Sequence, residues 1–267
     1  MKKIRIQPFL YRAFHSSGFR LSFVLGLFLA VLQIVQMITP IDSGYIYPAS
    51  LYAMWVGGEW ASYASSLLFL LLPLIATLPF SDCVARDKKT GYIYHLLLHQ
   101  ERNTVFLECA LTAFISGFSA AILPFLENFL LCATLYPALP PQASTYTFSP
   151  SLHGFLVNVF YARPLLYCLV YILLIGVFFG ALSVLGMSLG FLIKSPIFVH
   201  LLVFALYFWV YYITMQLGWY SLNPYVFLNP TQTVVFPMRV YLVYVIGMLC
   251  TAALIIFAGG RRYEAVS

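Results

Sequence analysis

PLLYCLVYILLIGVFFGALSVLGMSLGFLI, residues 164–193, runs from Arg163 to Lys194 without one charged side chain. A helix crossing the hydrocarbon of a bilayer needs about 20 apolar residues, and a charge at its centre costs roughly 2.5–3.5 kcal/mol. The stretch meets both demands and is read as a membrane-spanning helix. Uncharged runs recur at 21–41, 60–81, 109–126 and 240–260, each bounded by charged residues. Residues 195–238 are also uncharged, but Gly218, Pro224, Pro230 and Pro237 interrupt them. They divide into a span at 197–217 and a broken, non-spanning segment at 218–238. The expectation is an all-α integral membrane protein with six transmembrane helices in one domain, 1–267.

Composition agrees. Hydrophobic residues make up 62% of the 267 and charged residues 8%, against about 25% charged in an average soluble domain. Too few charges remain to cover a water-facing surface, which excludes a soluble enzyme, a nucleic-acid-binding domain and a disordered chain. The formal charge of +6 and pI near 9.0 are explained by topology. With the N-terminus in the cytoplasm, the inner segments hold Lys2, Lys3, Arg5, Arg12, Arg20, Arg86, Lys88, Lys89, Arg102, Lys194, Arg261 and Arg262. Only Arg163 and Arg239 fall outside, at helix mouths where they can reach headgroups. An even number of spans returns the C-terminus to the cytoplasm. The first 38 residues have the outline of a signal peptide, but the apolar part is long enough to span and no small-residue cleavage site follows, so a retained first helix is expected. The five cysteines have no C-x-x-C spacing and give neither a zinc site nor a disulfide framework.

Residues 4–19 are amphipathic, with Ile4, Phe9, Leu10 and Phe14 apolar and Lys2, Lys3, Arg5 and Arg12 basic around them. They are expected to form a helix lying in the membrane interface. The largest polar island, 81–103, begins with mixed charges including Asp82, Arg86 and Asp87. It passes through Gly91 and then runs Tyr92-Ile93-Tyr94-His95-Leu96-Leu97-Leu98-His99. Solvating a loop does not require that apolar run. A short helix with an apolar face in the cytoplasm needs the bilayer or a partner's groove to cover it. His95 and His99 are four residues apart but have no third ligand nearby, so no metal site is expected.

Gly176-x-x-x-Gly180 and Gly186-x-x-x-Gly190 put small residues in one stripe of the fourth span, suited to close packing within the chain or, second, between subunits. Gly186-Met187-Ser188-Leu189-Gly190 matches the nucleophile-elbow pattern, but it sits in a continuous apolar helix rather than on a strand-to-helix turn. Ser22, Gly26, Ala30 and Gln33 share a face of the first span, with Gln36 beyond, and Tyr207, Tyr211, Tyr212, Thr214 and Gln216 lie on the fifth. Such polar faces should meet protein or a hydrated cavity, which marks Gln33, Gln36, Tyr207, Tyr211 and Gln216 as a candidate translocation path. Glu108 and Glu127 flank the third span and, if it ends near Pro124, fall at the interfaces. No G-x-x-x-x-G-K-[ST] loop is present, so this chain has no phosphate cradle of that kind for ATP.

Two stretches carry a family resemblance. Residues 82–102, with their charges, Gly91 and Leu96-Leu97-Leu98, look like the cytoplasmic loop between helices 2 and 3 of type-2 membrane subunits of ABC transporters. Leu228-Asn229-Pro230-Thr231-Gln232-Thr233-Val234-Val235-Phe236-Pro237-Met238-Arg239 resembles the Asn-Pro segment before the last helix of those subunits. The resemblance covers the chain in topology, but its motifs are short. It departs at His99, where many members have Pro.

The resemblance implies a coupling helix around 86–99 seated on a separate ATPase subunit, through Arg86, Asp87, Gly91, Tyr92, Tyr94, Leu97, Leu98 and His99. It implies a connecting helix within 1–20 and a re-entrant outer pair of short helices in 218–238. It also implies a second permease subunit, identical or a sister, and ATP with Mg bound by the partner ATPase rather than by this chain. On this reading the protein is not itself an enzyme but an exporter permease in a bacterial cytoplasmic membrane. Its cargo is amphipathic or apolar: a peptide, a lipid or a drug-like compound. One rival is an intramembrane serine hydrolase, which needs Ser188 in a wet cavity beside His200 as base. The other is a stand-alone secondary transporter, which should show mid-span charges or matched broken helices.

Overall fold

A backbone in hydrocarbon must satisfy its own hydrogen bonds, so the uncharged runs fold as helices. The structure, a computed structural model, describes residues 6–38, 50–56, 63–141, 156–230 and 238–261. Among these the helices are α1 (Gln7–Phe14), α2 (Ser17–Ile38), α3 (Leu51–Met54), α4 (Tyr63–Thr77), α5 (Cys83–Thr90), α6 (Tyr92–His99), α7 (Arg102–Leu135), α8 (Val157–Ala162), α9 (Pro164–Leu189), α10 (Pro196–Gln216), α11 (Pro224–Phe227) and α12 (Met238–Gly260). Five of them, α2, α7, α9, α10 and α12, are long and apolar enough to cross a membrane.

The second expected span, 60–81, ends before its uncharged run does. α4 is described over 15 residues, Tyr63–Thr77, and residues 57–62 before it lie outside the described residues. Beyond Thr77 the chain turns through residues 78–82 into α5. The third expected span is longer. α7 continues through Pro124 for 34 residues, so Glu108 and Glu127 both lie inside the helix instead of beyond its ends. Gly26 of α2 abuts the Pro124 ring, where a Cβ would stand 2.7 Å from Pro124 Cγ.

α9 is the axis of the bundle, with 67% of its most apolar window buried against 22% for α10 and α12. It packs on α7, α12 and α4, and α2 packs on α7 and α4. The contact of α7 with α9 is close because glycine faces side chains across it. A Cβ on Gly176 would lie 2.6 Å from the Phe118 ring, and one on Gly180 would lie 3.1 Å from the Phe114 ring. On α7 itself, a Cβ on Gly117 would come within 2.4 Å of Ser183 Cβ. Gly186 meets Ser81 and Val203, and Gly190 meets Val84 and the backbone of Ala85. The small-residue stripe therefore packs within the chain along its whole length. The outward faces of α2 and α10 carry Phe23, Leu27, Phe28 and Val31, and Phe198, Leu201, Trp209 and Ile213, as lipid contact requires.

The expected interfacial helix at 4–19 is shorter and bent. Ser16 ends it: its hydroxyl accepts from Phe19 N at 3.0 Å, capping α2, and donates to Pro79 O at 3.1 Å. Phe19 and Arg20 consequently belong to α2. The broken segment after α10 begins at Gly218 (φ +69°) and makes two short turns, Tyr220–Leu222 and α11. Both turns are tied to the bundle. Asn223 Nδ2 donates to Tyr211 O, Tyr244 OH to Leu222 O, and Tyr167 OH to Pro230 O. Residues 231–237 of the Asn-Pro segment lie outside the described residues.

Candidate functional site

One end of the bundle gathers α1, α5, α6, the start of α7 and the ends of α9 and α12. The polar island forms two helices there rather than the single one expected around 86–99. Gly91 separates them with φ +76°, a left-handed turn that glycine enters without a Cβ penalty. Among the described residues nothing lies within 4 Å of a Cβ built at Gly91, so the left-handed backbone conformation marks the break between the two helices.

Charged groups fasten this loop on three sides. Arg12 of α1 grips Asp87 of α5 in a fork, Nη2 to Oδ1 at 2.6 Å and Nη1 to Oδ2 at 3.2 Å. The guanidinium also lies over the Tyr92 ring, 4.8 Å from its centroid. Burial works against the charge on Arg12, but its hydrogen bond to Asp87 and the carboxylate charge outweigh it and raise the Arg12 pKa. Lys88 Nζ donates to Gly190 O and Phe191 O at 3.1 and 2.9 Å, and Arg102 Nη1 donates to Gly260 O at 3.3 Å. Each cation sits on the carbonyl end of a spanning helix, where the helix dipole favours positive charge. Arg86 faces Asp82 at 3.4 Å. An open cleft of about 580 Å³ lies above, lined by Arg12, Arg86, Asp87, Thr90, Gly91, Tyr92 and His95.

α6 has two faces. Ile93 and Leu97, each 3% exposed, enter an apolar cluster with Phe9, Phe80, Val84, Val105 and Phe106. Tyr92, Tyr94 and Leu98 point away from it, and Leu98 is 70% exposed. Of the residues assigned to coupling, Asp87 and Leu97 are buried in this chain's own packing. Arg86 is half-buried, while Gly91, Tyr92, Tyr94, Leu98 and His99 are exposed. The His95 and His99 rings are 4.7 Å apart, and His99 Nδ1 contacts His95 O at 3.0 Å. No group of three or more His, Cys, Asp or Glu able to hold a metal occurs among the described residues.

The residues assigned to a path make contacts in several different places. Gln33 is buried, and Gln36 accepts from Ala64 N at 3.1 Å, tying α2 to α4. Tyr207 is buried and donates to Phe69 O at 3.4 Å. The Tyr211 ring packs edge-on to Tyr225 at 5.0 Å, and Gln216 is exposed. Ser188 is fully buried and donates to Leu185 O at 2.7 Å, so its proton is engaged with its own helix. Sequence reasoning missed three features: the fork between Arg12 and Asp87, the capping cations Lys88 and Arg102, and Glu108, which is buried.

Fold and composition together define a helical, multi-pass membrane protein with a basic platform at one end. An uncharacterised protein of Bacillus subtilis (strain 168), YybM, is similar: 27% identical over 168 residues, or 59% of this chain and 62% of YybM. The chain thus matches less than two thirds of that relative's length. No family model and no solved structure matches it.

Proposed function

We propose that this chain is the permease subunit of an ATP-driven exporter of the ABC class, with its basic end in the cytoplasm and α4 completing a set of six spans. A separate ATPase subunit binds ATP with Mg and seats against α6. A second permease, a copy or a sister chain, completes the translocation path. The observation that carries this reading is the outer face of α6. Tyr94 and Leu98 stand exposed on a helix whose other face is packed, and the adjoining α5 is clamped through Arg12 and Lys88 to α1 and α9. A push on α6 therefore reaches the central spanning helix through hydrogen bonds and packed side chains. ATP-driven closure of the motor would shift the bundle between two packings. The aromatic surface of α10 suits an amphipathic or apolar cargo. Polar residues on α2 and α10, among them Gln33, Gln36, Tyr207, Tyr211 and Gln216, would face it in the second packing.

The test is purification in mild detergent from the native membrane. An ATP-hydrolysing subunit should accompany the wild-type chain and be lost from Leu98→Glu, which leaves the chain inserted. A wild-type chain that purifies without any nucleotide-hydrolysing companion refutes the proposal.

A further inference from the structure

Two guanidiniums from different helices line the open cleft at the basic end. Arg12 comes from α1 and Arg86 from α5, and α6 adds Tyr92 and His95. A guanidinium carries five N–H donors. Arg12 gives two of them to Asp87, at 2.6 and 3.2 Å, and is held against the Tyr92 ring at 4.8 Å. Arg86 is tied more loosely. Its contact with Asp82 is 3.4 Å, longer than the roughly 2.7–2.9 Å of a charge-assisted hydrogen bond. Both arginines therefore keep donors to spare. Asp87, the acid among the described lining residues, is buried and already occupied by Arg12. Thr90 contributes no donor, because its hydroxyl donates to Arg86 O at 3.1 Å.

We propose that this cleft binds one phosphate group, the headgroup phosphate of an anionic phospholipid. The arrangement of donors decides the chemistry. A carboxylate has two oxygens in one plane and is satisfied by a single fork, as Asp87 is by Arg12. A phosphate presents its oxygens tetrahedrally and can accept from guanidiniums that approach from two helices. The His95 ring on the same cleft supplies a further N–H. Charge agrees: Arg12, Arg86, Lys88 and Lys89 stand against Asp82 and Asp87, an excess of two positive charges.

Position and size point to lipid as the source. Only His15 and Ser16 separate α1 from the spanning helix α2, so Arg12 lies where that helix leaves the hydrocarbon. Tyr11 on α1 and Leu21 and Phe23 on α2 are exposed beside it. The cleft, about 580 Å³, falls in the range of roughly 300–1,000 Å³ that holds a small organic molecule. Being open, it admits a headgroup whose acyl chains stay in the bilayer. The excess positive charge favours an anionic lipid over a zwitterionic one. The site rests on the membrane class of the fold and not on the exporter reading.

The experiment uses the full-length chain, delipidated in detergent and followed by native mass spectrometry. Dioleoyl phosphatidylglycerol, dioleoyl phosphatidylcholine and inorganic phosphate are added in separate titrations. The wild type should retain one phosphatidylglycerol per chain, with a Kd about 10-fold or more below that for phosphatidylcholine. Arg86→Gln should weaken that retention about 10-fold. Lys194→Gln, which removes an exposed cation outside the cleft, should match the wild type. Phosphatidylglycerol with a photoreactive group on its glycerol should label α1, α5 or α6, which decides the matter even if Arg86→Gln fails to fold. Equal retention of the two lipids, unchanged retention by folded Arg86→Gln, equal loss in Lys194→Gln, or labelling confined to other helices each overturn the proposal. Displacement of the lipid by millimolar inorganic phosphate would assign the cleft to a free anion and overturn the lipid source.

Discussion

Leu97 and Leu98 are adjacent, chemically identical and turned to opposite sides of α6, so truncating each in turn separates support of the platform from contact with a partner. Leu97 is 3% exposed in the sulfur-containing apolar cluster, and its loss to Ala should cost about 2–5 kcal/mol of stability through lost burial and the cavity left behind. Leu98 is 70% exposed, so Leu98→Ala should leave the thermal midpoint of the isolated chain nearly unchanged. Full burial of a leucine side chain is worth about 1.5–3 kcal/mol. The exposed share leaves roughly 1–2 kcal/mol for a partner to gain, or roughly 5- to 30-fold in Kd. The assay is thermal unfolding of both variants in detergent, paired with titration onto each of the ATPase subunit that the proposed function requires. Leu98→Ala with wild-type affinity, together with Leu97→Ala losing affinity at wild-type stability, would reverse the two faces and refute the reasoning.

Three further outcomes follow from the same geometry. Asp87→Asn should lower stability by about 1–3 kcal/mol by leaving the Arg12 guanidinium half-buried without its carboxylate, and limited proteolysis should then cut sooner between α1 and α2. Gly117→Ala should cost about 1–3 kcal/mol by overpacking against Ser183, and Ser183→Gly in the same chain should recover most of it, read as a double-mutant cycle. Both Glu127 carboxylate oxygens are buried without a hydrogen-bond partner among the described residues, so Glu127→Gln should raise the thermal midpoint or leave it unchanged. A clear fall would mean that the carboxylate has a partner in the folded protein.

The sequence by itself determined which segments form long apolar helices fit to cross a membrane, because the cost of a charge in hydrocarbon acts residue by residue and needs no neighbour to be evaluated. Residues 197–217 and 240–260 accordingly coincide with α10 and α12 to within a residue or two at each end. Segment ends were less legible. Pro124 interrupts a run on paper, yet α7 passes through it with Gly26 packed against its ring, and the 81–103 island breaks at a left-handed Gly91 that its composition alone does not locate. Tertiary structure alone decided which of two leucines faces inward and that Arg12 reaches Asp87 across 75 positions. Those facts depend on how helices rotate and stack, and a hydrophobic pattern of nearly uniform apolarity carries little information about rotation.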